Sequence, residues 1–132
     1  MATLQVELVA VERKIWSGEA TMVIARTTEG DVGILPDHSP VLSLLVDGVV
    51  DVTTSDGETW IAAVDTGFLS VAANRISILS EHAQMSHEVD LETARADLER
   101  ARGTGEVHEE AEQAAARAWA EARIRAAEQS SR

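Results

Sequence analysis

His38 is the side chain best suited to chemistry, held at the centre of Pro36-Asp37-His38-Ser39-Pro40. An imidazole can act as general acid or base, or bind a metal. Either task needs partners. The nearest ligand type is Asp37, and neighbours in sequence rarely co-ligate. The chain has no cysteine, which excludes thiolate sites and disulfides. No serine sits in a nucleophile elbow. His82 and His87, five apart, fit no metal spacing on a helix and read as solvated linker residues. Arg95 and Arg102, seven apart, share a helical face after two turns, from which both guanidiniums could reach one phosphate. The residue types argue for binding rather than turnover. His38 then reads either as a residue displayed to a partner or as one that stiffens its own loop. A small hydrolase or isomerase centred on His38 lacks a second acid, base or nucleophile in a fixed motif.

The elements that must hold these residues follow from hydrophobic period. Proline fixes φ and cannot donate to a sheet ladder, so Pro36 and Pro40 mark where one strand stops and the next begins. Leu4, Val6 and Leu8 alternate with Gln5 and Glu7, as in a half-buried strand. Further strand-like runs are 21–26, 49–54, 59–64, 68–71 and 75–79. Turn signals separate them: Ser17-Gly18, Glu29-Gly30, Asp47-Gly48, Asp56-Gly57 and Ala73-Asn74. Asp56-Gly57 predicts a two-residue hairpin. Many short strands at this spacing predict an all-β sandwich or flattened barrel.

Beyond His87 the period becomes helical. Leu91, Ala94, Leu98 and Ala101 form one stripe, with Asp90 or Ser86 as N-cap. Gly103-Thr104-Gly105 breaks the pattern, and an Ala-rich helix runs from Val107 to Glu128. The fold class is α+β: an N-terminal sandwich over 1–87 and an antiparallel two-helix hairpin over 88–132. Trp119 and Ile124 are the only large apolar residues of the second helix. Alanine favours the helix but buries little area, about 0.8 kcal/mol for a methyl-sized group. Such a hairpin forms readily and is held weakly, as a conformational switch requires; a permanently docked hairpin is the other reading.

Composition narrows the function classes. Of 132 residues 45% are hydrophobic but only 3% aromatic, so Val, Ile, Leu and Ala must build the core. The formal net charge of −12 opposes nucleic-acid or anionic-lipid binding through a broad basic surface. No apolar run is long enough to span a bilayer, and the first residues lack a basic region and an uninterrupted apolar segment. A cytoplasmic chain without a signal peptide is expected, reaching a membrane only through a partner.

Sequence and period together resemble one family, the epsilon subunit of bacterial F-type ATP synthases, with its mitochondrial delta counterpart. Gly30 to Leu42 is similar to its G-x-x-G-I-x-P-x-H-x-P-h-h loop, with Asp37 where Gly is common. A Gly there implies positive φ, which Asp tolerates at some cost. Ile15 to Ala20 resembles the family's hydrophobic-Ser-Gly turn. Ala63 to Val71 resembles its strand-Gly-Gly segment, with Thr66 in place of Gly or Ser. Leu91 to Ala96 resembles the opening of its C-terminal hairpin.

The resemblance implies a non-catalytic subunit of the central stalk that couples proton flow to ATP synthesis. The sandwich would bind the gamma subunit and the c-subunit ring, with Glu29, Asp31, Pro36, His38 and Pro40 as interface residues. The hairpin would permit ATP hydrolysis when folded and block it when extended into the catalytic alpha/beta head. Arg117, Arg123 and Arg125 are then the inhibitory contacts, although residues 88–132 carry a net −4, which favours weak or steric inhibition. No cofactor is required. ATP could be a weak regulatory ligand, as in some bacterial members, on the family's (I/L)-D-x-x-R-A motif, here Leu91, Glu92, Arg95 and Ala96, plus Arg102. Glu92, one methylene longer than Asp, displaces any hydrogen bond to nucleotide; Glu92 and Arg95 equally read as an ordinary i,i+3 surface pair. The localisation implied is peripheral, on the cytoplasmic side of the cell membrane. A free-standing nucleotide-sensing module using Arg95 and Arg102 is the competing function.

Overall fold

The computed structural model describes residues 2–102 and 110–130. Nine strands come first: β1 (Leu4–Ala10), β2 (Lys14–Thr27), β3 (Gly30–Ile34), β4 (Val41–Leu45), β5 (Gly48–Thr54), β6 (Thr59–Val64), β7 (Gly67–Ala72), β8 (Arg75–Ser80) and β9 (Ala83–Met85). A 3-10 turn (Ser86–Glu88), α1 (Leu91–Arg102) and α2 (Glu110–Ser130) follow. The expected Gly103-Thr104-Gly105 break and the start at Val107 lie outside the described residues.

Hydrogen bonding runs β1-β8-β7-β4-β2 and returns to β1, while β5, β6 and β9 continue from β2 and β3 pairs with β2. The ring is the expected flattened barrel. Alternation supplies its filling: Leu4, Val6, Leu8, Val23, Val50, Leu69, Val71, Ile76 and Ile78 point into one buried cluster. β6 departs from alternation, with Ile61, Ala62, Ala63 and Val64 all buried. Ala62 and Val64 join the barrel core, whereas Ile61 and Ala63 pack on Ala122 and Ala126 of α2. Asp90 is the N-cap of α1: its Oδ1 accepts from the N–H groups of Glu92 (3.0 Å) and Thr93 (3.2 Å).

Several turns differ from expectation. Ser17-Gly18 is not a turn but lies inside β2, opposite Glu7 and Val6. A Cβ at Gly18 would come within 2.9 Å of the Trp16 ring, which would have to shift to admit it. The Asp56-Gly57 hairpin closes over three residues, not two. Gly57 N–H bonds Thr54 O, Thr54 N–H bonds Glu58 O, and only Gly57 takes positive φ, the arrangement of a type I turn with a following bulge. The true two-residue hairpin is Ala73-Asn74, with φ of 51° and 62°, between paired Ala72 and Arg75. The segment read as solvated linker instead forms β9 on the edge of β6 and returns to the sandwich through Glu88. That carboxylate accepts from Met85 N–H (2.9 Å) and pairs with Arg13 (3.2 Å).

Gly67 opens β7 where a Cβ would lie 1.9 Å from Leu79 O, so backbone must move to admit any side chain. Gly67→Ala should cost about 1–3 kcal/mol, read as a lower urea midpoint with unchanged slope. Because the barrel core and the α2 seam are separate clusters, a chain of residues 1–89 should still unfold in one cooperative transition. Loss of that transition would show that the sandwich needs its helices.

Candidate functional site

The loop expected to meet a partner spans 35–40, between the ends of β3 and β4. Asp37 has φ 69°, as its replacement of Gly anticipates. Its N–H donates to Asn74 Oδ1 (2.6 Å), and Asn74 Nδ2 donates back to Asp37 Oδ1 (3.2 Å). The loop is thereby fastened to the β7–β8 hairpin. His38 is half-buried; its N–H bonds Leu35 O (3.2 Å) and its Nδ1 donates to Ser39 O (2.7 Å). That contact stiffens the loop and fixes the ring's tautomer, leaving Nε2 as an acceptor. Leu35 and Pro40 are exposed and Pro36 half-buried. Glu29 and Asp31 lie at the other end of β3, Asp31 paired with Arg26 (3.1 Å). The five residues therefore line one edge, along a strand that pairs with β2, rather than sharing a pocket.

A second surface was not anticipated. Leu44 lies directly opposite Phe68 on β7, and Phe68 opposite Leu79 on β8; Leu42 is two residues along β4 from Leu44. All four face outward, from 47% to 70% exposed. Leu79 is in turn opposite Val9 of β1. Contiguous apolar side chains across neighbouring strands mark a face that meets another surface. The signal was present in the sequence: Leu42, Leu44, Phe68 and Leu79 occupy positions where a solvated strand face would carry polar residues.

The third region is the seam between sandwich and hairpin. Asp65, 8% exposed, accepts from His82 N–H (2.7 Å) and Ser80 Oγ (2.8 Å) at Oδ1. Its Oδ2 meets His82 Nδ1 at 2.6 Å. The hydrogen bond to this carboxylate raises the His82 pKa from its ordinary value, an effect that partial burial opposes and Glu81 and Glu12 reinforce. Ser80 binds the carboxylate rather than the imidazole's far nitrogen, so this is no nucleophilic triad. Trp119 of α2 lies against the His82 ring (centroids 5.8 Å, 36° tilt), and Trp60 meets His87 edge-on (6.0 Å). Both histidines are exposed, as expected of solvated residues, but each also makes a ring contact that the sequence did not suggest. Sequence reasoning missed the group because its members span 54 positions of chain, from Asp65 to Trp119.

The hairpin residues divide. Glu92, Arg95, Ala96 and Arg102 are exposed on α1 and Leu91 is half-buried; no ion pair joins Glu92 to Arg95, whereas Arg102 approaches Glu99 at 4.0 Å. Arg117 and Arg125 are exposed on α2 beside Arg26, Asp47 and Glu121. Arg123 is committed inward. It pairs with Asp97 (2.7 Å), which Arg100 also contacts, lies 5.6 Å from the Trp119 ring centroid, and buries an Nε that lacks a partner among the described residues. No cluster of metal-ligating residues occurs among the described residues.

Residues 3–86 match the β-sandwich domain family of the ATP synthase delta/epsilon chain. The ATP synthase epsilon chain of Streptomyces avermitilis is 52% identical over 105 residues, covering 80% of this chain and 85% of that one. That of Streptomyces griseus is 47% identical over 125 residues, covering 95% of each. The epsilon chain of Rhodococcus opacus is 56% identical over 99 residues, or 74% and 81%. Among solved structures, a chain of the Euglena gracilis mitochondrial ATP synthase OSCP/F1/c-ring assembly superposes with TM-score 0.79 at 22% identity, covering all of this chain and 83% of that one. A chain of the Tetrahymena thermophila mitochondrial central stalk and c-ring gives 0.58 at 15%, covering 98% and 96%. At those identities the likeness is one of fold.

The Asp97–Arg123 contact ties α1 to α2, and its loss strands a largely buried guanidinium. Asp97→Ala should cost about 1–3 kcal/mol and raise hydrogen exchange in the helices while leaving the barrel strands protected. Glu99→Ala, at an exposed pair, should stay within about 0.5 kcal/mol.

Proposed function

Since the chain belongs to the epsilon-chain family of the ATP synthase, a non-catalytic subunit of that complex, we propose that it serves as a central-stalk coupling subunit whose hairpin restrains ATP hydrolysis. The observation that carries this reading is the outward apolar row Leu42, Leu44, Phe68 and Leu79. A gamma subunit covers that row. The stapled 35–40 loop and the β3 edge, with Glu29, Asp31, Pro36, His38 and Pro40, face the c ring. The assignment is supported by loop rigidity: a torque-bearing contact needs a surface that does not yield, and the Asp37–Asn74 clasp and two prolines supply one.

The docked hairpin is the permissive state. Its attachment relies on small groups, Ala122 and Ala126 against Ile61 and Ala63, and so leaves release within a few kcal/mol. Once extended, α2 would offer Arg117, Arg123 and Arg125 to the catalytic alpha/beta head. Arg123 must first leave Asp97, a contact that favours the docked form. ATP has a weak regulatory role at most, through Arg95 and Arg102 on the exposed side of α1. The subunit is peripheral to the membrane on its cytoplasmic side, held through the complex. No described helix is long and apolar enough to cross a membrane.

Reconstitution with gamma and the catalytic head tests both parts. The full chain should suppress ATP hydrolysis, and residues 1–89 should co-elute with gamma without suppressing it. Phe68→Asp together with Leu44→Asp should weaken gamma binding by roughly a hundredfold, as expected from losing about 3 kcal/mol of apolar burial. Unchanged co-elution of the double variant would remove this face as the gamma surface; equal suppression by 1–89 would remove the hairpin as inhibitor.

A further inference from the structure

The seam under α2 concentrates ionisable groups. Asp65, from the β6–β7 connection, holds His82 on the β8–β9 connection. Glu81 precedes His82, and Glu12 and Arg13 of the β1–β2 turn line the same cavity, which Trp119 closes from α2. Asp47, from the β4–β5 turn, is close enough to feel both Asp65 and His82. Arg123 of α2 lies over Trp119 and is paired with Asp97 at 2.7 Å.

We propose that His82 is a proton-operated latch for the hairpin: its imidazolium, anchored by Asp65, receives the face of Trp119, so that gaining a proton seats α2 on the sandwich and losing it loosens α2. The two contacts have separate jobs. Asp65 and His82 both belong to the sandwich side, so their pairing persists when α2 leaves; it sets where the imidazole titrates. Trp119 belongs to α2, so the ring contact exists only in the docked state; it lets docking sense the charge. A protonated ring is drawn to an indole face as a neutral one is not.

The sign follows from linkage. The Asp65 hydrogen bond raises the His82 pKa against a lowering by burial; in the proposed latch the indole contact, present only in the docked state, outweighs the burial that docking adds. The docked state therefore binds the proton more tightly. Its extra stability is full below the released-state value, which Asp65 keeps above 6.5, and is lost as pH rises through the docked value. Asp47 and Asp51 act in the same direction at lower pH. Both flank α2, and desolvation raises each above 3.8, for Asp47 with help from the Asp65 charge and against the pull of its backbone hydrogen bond and His82. Their charged forms oppose docking, and protonation in acid relieves that opposition.

The proposal rests on the hairpin having a released state, as the proposed function requires, but its test needs neither gamma nor the catalytic head. The full chain carrying fluorotryptophan would be titrated from pH 6 to pH 9 by NMR, with the Trp119 resonance assigned through Trp119→Phe and His82 followed by its ring protons. The docked-to-released ratio should fall about two- to fivefold with the midpoint of the His82 titration. His82→Gln, at an exposed side chain, should abolish that step, and Asp65→Asn should move its midpoint to lower pH. An unchanged step in His82→Gln, or a Trp119 signal that stays fixed while His82 titrates, would overturn the latch. Failure of the full chain to inhibit hydrolysis would instead count against the proposed function and leave this result standing.

Discussion

One strand closes the sandwich. β2 runs for fourteen residues and pairs in turn with β1, β5, β3 and β4. Without that sequence of partners the ring β1-β8-β7-β4-β2 would open, leaving unpaired edges that invite association with other chains. The strand can serve so many neighbours because Gly18 admits the Trp16 ring and its register shifts near Ala20–Met22, where pairing passes from β1 to β5. Everything outside the core is placed by that closure: the β3 edge, the face of β4, β7 and β8, and the flat side of β5 and β6 on which α2 rests.

Three surfaces thereby receive different chemistry from one small barrel. The β3 edge is polar and stiff, the β4–β7–β8 face is apolar and open, and the β5–β6 side is covered by the chain's own helix. Docking makes β6 buried on both faces, which a strand of an ordinary sandwich is not. Its outward positions are therefore Ile61 and Ala63 rather than polar residues. The outward Asp51 of β5 remains a carboxylate whose ionised form burial disfavours. That side tolerates its cover without being built for permanent closure.

Much of this was legible in the sequence because hydrophobic period reports directly on which side of a strand or helix is buried. The alternation of Leu4, Val6 and Leu8, the α1 stripe, the Asp90 cap and the positive φ at Asp37 all follow from local rules. The failures share another cause. Ser17-Gly18 looks like a turn until pairing with Glu7 and Val6 overrides it, and Asp56-Gly57 carries its glycine in the bulge position rather than the two-residue turn. The Asp65–Ser80–His82–Trp119 group is invisible to any local window, since the fold alone brings those positions together. The loop motif drew attention to one candidate edge, whereas the apolar face needed sheet pairing before its four residues could be seen as neighbours.

The alanines along α2 bear on time as well as energy. Large side chains interlock as ridges in grooves, so separating two such surfaces means lifting each knob past its neighbours. Ala122 and Ala126 offer no such knobs to Ile61 and Ala63, and Trp119 sits at the rim of the contact rather than its middle. In the proposed release, α2 would separate without breaking a rung of any β ladder. Few interlocked side chains would then oppose its separation. In the proposed role, a smooth seam would favour a brake that engages quickly.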